Sequence, residues 1–171
     1  EQARNTLSIE RDAQVVAILP GSREGEVNRL GELFLQSACL IKQSIPNVKF
    51  VIPAANKARK QQLDEILSGF ENVQVTLLDG MSSEAMCAAD VILMASGTAA
   101  LEGMLFKKPL VVSYKLSSLS AFFLFRMLRQ PFVSLPNLLA GKELVPEILQ
   151  DDATPESLSK AVLTFLQDEN A

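Results

Sequence analysis

Short apolar runs rich in β-branched residues alternate along this chain with longer stretches in which apolar side chains return every three or four positions. Val15-Val16-Ala17-Ile18-Leu19 is a run of the first kind, and Val27, Leu30, Leu33, Phe34, Ala38 and Ile41 mark a stretch of the second. An unbroken run suits a strand buried on both faces, and the 3.6-residue period suits a helix packed against it. On this pattern strands are predicted near 15–20, 48–54, 73–78, 90–95 and 109–115, with helices near 25–44, 57–69, 83–89 and 97–107 between them. Right-handed crossovers then make a doubly wound parallel sheet, a Rossmann-like α/β fold.

Beyond the fifth strand the pattern gives an apolar helix near 117–129, a short strand at 132–135, a turn at Pro136-Asn137-Leu138 and a short helix from Pro146 to Leu149. Thr154-Pro155-Glu156 opens a last amphipathic helix through Leu166, with threonine as N-cap and proline in the first helical position. Residues 1–14 are polar apart from Leu7 and Ile9 and read as a linker, so the folded domain is expected to occupy 15–171.

Composition narrows the class. With 171 residues, 48% of them hydrophobic, the chain can bury a core of its own. A net charge of −4, with basic residues scattered along the chain, argues against nucleic acid as a partner. Cys39 and Cys87 lie in apolar helical segments with no second cysteine or histidine at metal-ligand spacing. Both are expected to be buried free thiols in a reducing compartment. No apolar stretch is long enough to span a bilayer, and no metal site is indicated.

Chemistry concentrates at two strand-to-helix turns. The first predicted strand stops at Pro20 and delivers Gly21, Ser22 and Arg23; the fourth ends at Ala95 and delivers Ser96, Gly97 and Thr98. Backbone N–H groups, hydroxyls and the positive end of a helix dipole attract anions at such turns, and two of them in one sheet suggest a diphosphate ligand. Glu102 follows Thr98 by four residues, on the same helix face and one turn deeper. It either meets a hydroxyl-bearing sugar or faces solvent. Arg23 either reaches a phosphate with a bidentate guanidinium or pairs with Glu24 or Glu26 at the helix start. Asn137 either donates an amide to the phosphates or serves as a turn residue. Pro-Gly-Ser-Arg is neither a G-x-G-x-x-G fingerprint nor a Walker loop, which disfavours nicotinamide and P-loop chemistry. The stretch from Leu119 to Arg129 is apolar nearly all round. It fits burial against another domain or subunit, or contact with a membrane surface through Lys115, Arg126 and Arg129.

Four segments together resemble one family. They are Leu19-Pro20-Gly21-Ser22-Arg23 with Glu26-Val27, Leu78-Asp79-Gly80-Met81, Ala95-Ser96-Gly97-Thr98-Ala99-Ala100-Leu101-Glu102, and Val133-Ser134-Leu135-Pro136-Asn137-Leu138-Leu139-Ala140-Gly141. In order and spacing they resemble the lipid-A-disaccharide synthases over almost the whole chain. The resemblance implies the carboxyl-terminal, donor-binding half of a B-type glycosyltransferase fold, entered through an interdomain linker at 1–14. It implies inverting transfer of 2,3-diacylglucosamine from UDP to 2,3-diacylglucosamine 1-phosphate.

In that reading Ser96, Gly97 and Thr98 hold the donor's diphosphate, Glu102 its ribose and the backbone of Asp79-Gly80-Met81 its uracil, with Gly21 and Ser22 also among the residues that bind the UDP-sugar donor. Arg23 and Asn137 stabilise the departing UDP. No cofactor or metal is implied, and the sequence has no Asp-x-Asp motif. The acceptor site, the general base and the final crossover helices would lie in other parts of the protein, and this chain has no histidine to stand in for that base. Further implied partners are the protein's own amino-terminal domain, a second copy as homodimer, and the cytoplasmic face of the inner membrane of a Gram-negative bacterium, touched by the helix at 119–129. Rival readings are another UDP-sugar enzyme of the same fold, such as a peptidoglycan-type glycosyltransferase or a 2-epimerase, and a non-catalytic interaction module.

Overall fold

A computed structural model describes residues 1–116 and 132–168. Six parallel strands form one sheet: β1 (Val15–Leu19), β2 (Lys49–Ala54), β3 (Val75–Asp79), β4 (Val91–Ala95), β5 (Leu110–Tyr114) and β6 (Glu147–Leu149), in the order β3-β2-β1-β4-β5-β6. The helices are α1 (Gln2–Thr6), α2 (Glu24–Ser44), α3 (Lys57–Leu67), α4 (Ser82–Ala88), α5 (Ala99–Leu105), α6 (Leu135–Ala140) and α7 (Pro155–Gln167). The predicted doubly wound class is therefore correct.

Side-chain alternation in the strands supplies two cores. Val16, Ile18, Phe50, Ile52, Val91 and Leu93 point to one face and are covered by α2, α3 and α7. Val15, Ala17, Leu19, Ile92, Met94, Leu110 and Val112 point to the other, where α4 and α5 pack. Burial on both faces is why these strands read as unbroken apolar runs. In α2 the buried side chains Val27, Leu30, Phe34, Ala38 and Ile41 are those its period singles out. Gly103 lets α5 approach β5, since a Cβ there would lie 2.8 Å from Leu110 Cδ2.

Three local expectations, at 132–135, 136–138 and 146–149, are corrected. Residues 1–14, read as a linker, are docked on this domain: Arg4 donates to both carboxylate oxygens of Asp90 at 2.8 Å and to the carbonyls of Ala88, Arg11 and Ala13. All five guanidinium N–H groups are used, and Asp90 also accepts from the Val15 amide at the start of β1. The strand at 132–135 does not form, because the Val133 and Ser134 amides donate to Glu147 at 2.8 and 2.9 Å and the chain enters α6 at Leu135. Pro136 and Asn137, expected in a turn, lie inside that helix. The segment expected as a helix from Pro146 is the edge strand β6, paired with β5 in the register Val112↔Glu147 and Tyr114↔Leu149. The apolar helix at 117–129 lies outside the described residues.

Candidate donor-nucleotide site

Strand order reverses between β1 and β4, whose following helices pack on opposite faces of the sheet. A crevice opens at such a switch point beyond the carboxyl ends of the strands. Here it is a cleft of about 540 Å³, a volume that suits a nucleotide-sized ligand. Its floor is Leu19, Met94 and Ala95 from β1 and β4. Its walls are the Gly21–Arg23 turn, the Pro53–Ala55 segment, Gly80 and Ser82, the Ser96–Ala99 turn, and Leu135. Among these lining residues only Arg23 and Glu26 are charged.

The second turn is open. Ser96 is fixed by its amide donating to the Ser113 carbonyl at 2.9 Å and its hydroxyl donating to the Val133 carbonyl at 3.3 Å. Gly97 and Thr98 are exposed, and among the described residues their amides have no hydrogen-bond partner. A Cβ at Gly97 would meet nothing within 4 Å, so the turn faces free space. Two unpaired amides and the Thr98 hydroxyl thus lie in sequence just where α5 begins, groups of the kind that bind an anion.

The first turn is already filled. Gly21 takes φ +121°, a conformation that other residues rarely adopt, and brings the loop against Glu26. The Glu26 Oε2 accepts from the Ser22 amide at 3.0 Å and the Arg23 amide at 3.2 Å, and its Oε1 accepts from Arg23 Nη1 at 3.2 Å. In this structure the first turn binds a carboxylate of the chain itself. Arg23 is 83% exposed and Glu26 17%.

Gly80 and Met81 are both left-handed, at φ +70° and +61°, and the Gly80 amide donates to the Ala54 carbonyl at 2.8 Å. This holds the β3–α4 loop against the end of β2, with Met81 half-exposed beside the cleft lining. Glu102 is half-buried outside that lining and accepts from the Ser83 hydroxyl of α4.

Asn137 is fully buried. Its amide donates to the Val145 carbonyl at 2.9 Å and Glu147 at 2.7 Å, while its carbonyl accepts from the amides of Leu144 and Val145 at 2.7 and 3.0 Å. All four of its hydrogen-bonding positions are taken. In this structure it has no donor left for a phosphate. Instead it braces Glu147, whose carboxylate also receives the Val133 and Ser134 amides and the Ser134 hydroxyl. Nothing in the sequence pattern marks Glu147, because its partners come from a loop and a helix. Glu26 is legible only through its spacing from Arg23.

With the geometry in view, comparison with known proteins is decisive. The family described as lipid-A-disaccharide synthetase matches residues 1–171. This chain belongs to that family. A lipid-A-disaccharide synthase of Pseudomonas savastanoi pv. phaseolicola is 50% identical over 169 residues, covering 99% of this chain and 44% of that protein. The chain thus spans less than half the length of the curated relatives it matches. Among solved structures, E. coli ADP-heptose lps heptosyltransferase II superposes with TM-score 0.71 at 16% identity, over 99% of this chain and 51% of that one. WaaG, a glycosyltransferase involved in lipopolysaccharide biosynthesis, gives TM-score 0.59 at 20% identity over 98% of this chain and 41% of that one. These two share the fold of this chain.

Proposed function

We propose that this chain is the donor-binding part of a lipid-A-disaccharide synthase, an inverting glycosyltransferase that moves 2,3-diacylglucosamine from UDP to 2,3-diacylglucosamine 1-phosphate. The observation that carries the reading is the open Ser96-Gly97-Thr98 turn in the cleft at the switch point, in a chain of this family. The diphosphate sits on the Gly97 and Thr98 amides. Uracil lies along the Gly80–Met81 backbone, and Glu102, anchored by Ser83, turns to the ribose hydroxyls.

As the glycosidic oxygen leaves, charge grows on the diphosphate, and fixed donors aimed there lower the barrier. The α5 amides and Arg23 fill that role in this reading, which assigns no step to a metal or cofactor. Asn137 acts indirectly: through Glu147 it sets the 133–135 segment against Ser96. The acceptor and the general base belong to the protein's other domain, and catalysis takes place at the cytoplasmic face of the inner membrane.

Two results test this together. In the complete protein Arg23→Ala lowers kcat by roughly a hundredfold, as loss of one such donor does, while the 171-residue chain alone makes no disaccharide. Turnover by the isolated chain, or an unchanged kcat in the variant, contradicts the assignment.

A further inference from the structure

Glu26 occupies the place where the first turn would hold an anion. Its carboxylate accepts from the Ser22 amide, from the amide of Arg23 at the N-cap of α2, and also from the Arg23 guanidinium, which has no other hydrogen-bond or ion-pair partner among the described residues. It lines the same cleft as the open Ser96–Thr98 turn. A carboxylate and a diphosphate in one cleft repel each other, and they compete for the same donors.

We infer that Glu26 is a built-in competitor of the donor's diphosphate. It holds the Gly21–Arg23 turn in the shape this structure shows, and it yields Arg23 and the two amides to the diphosphate. The inference rests on the donor-site reading above and assigns Glu26 a part in it: this residue weakens the hold on the nucleotide. Weak retention has a use in a transferase, since UDP is the product that must leave.

The test titrates UDP and uridine into the wild-type chain and Glu26→Gln. Glutamine keeps an acceptor for the two amides and removes the charge. The expected result is that UDP binds the variant about fivefold more tightly, the scale of one like-charge contact at a partly exposed site, while uridine binds both chains alike. Equal or weaker UDP binding by the folded variant overturns the role of Glu26 and leaves the donor site standing. Binding of UDP to neither chain overturns both.

A second measurement needs no variant. In the wild-type chain UDP is expected to shift the Ser22 and Arg23 amide resonances well beyond what uridine does. Resonances that stay where uridine leaves them contradict displacement of Glu26.

Discussion

A single buried amide shows how far a side chain's role depends on partners distant in sequence. Asn137 bonds to Val145 and Glu147, eight and ten residues downstream, and to nothing in the cleft. Its replacement by alanine strands the Leu144 and Val145 amides and takes one donor from the Glu147 carboxylate. A buried group left unpaired costs about 1–3 kcal/mol, and of Leu144 and Val145 only Val145 is buried, so Asn137→Ala is expected to lose about 2 kcal/mol in urea unfolding. An unchanged unfolding midpoint contradicts this account of the brace.

The sequence offered Asn137 as a turn residue or a phosphate donor, because an asparagine after proline carries local information only. Arg23 and Glu26 were more legible, since their contact spans three residues at a helix start. Cys87 was misread: it is exposed, whereas Cys39 is half-buried with its thiol pushed up by burial. An alkylating reagent near neutral pH is therefore expected to modify Cys87 well before Cys39, which mass spectrometry of a time course reads directly. Simultaneous modification contradicts that ordering.

Elements with a strong period of their own were readable to within two residues at each end, as β1 to β5, α2 and α3 illustrate. In β1, β2, β4 and β5 burial is nearly complete on both faces, so pattern and structure agree. The short segments failed for a common reason. Residues 132–135 and 146–149 are too short to impose a conformation, and the open edge of β5 and the Glu147 carboxylate decide it for them. Residues 1–14 look like a linker because they are polar, yet Arg4 docks them by all five of its donors. Arg4→Ala is expected to speed amide exchange in residues 2–9 while leaving exchange in β2 and β3 unchanged; equal protection in both proteins contradicts the clamp. At the other end, Thr154 caps α7 by accepting from the Ser157 amide at 3.2 Å. Thr154→Ala is expected to cost about 1 kcal/mol of unfolding free energy.

At the scale of the whole molecule, the sheet order places the ends of β1 and β4 side by side, which brings turns some 75 residues apart in the chain to one cleft. Periodicity gives the parallel sheet, and right-handed crossovers give a switch point, so the place of the site is legible from the sequence. Occupation of the first turn by Glu26 is not, because it depends on a side-chain conformation. Nor is the hydrogen bond to Glu102 from Ser83, which comes from a different helix.

In the proposed function this cleft binds a uridine diphosphate group through the Ser96–Thr98 turn and Arg23. Calorimetric titration of the chain with UDP, with ADP as control and with Arg23→Ala and Glu102→Ala beside it, tests that binding. The expected result is UDP binding that both substitutions weaken and that ADP does not reproduce. A folded chain that binds neither nucleotide, or binds UDP with equal affinity in all three proteins, contradicts it.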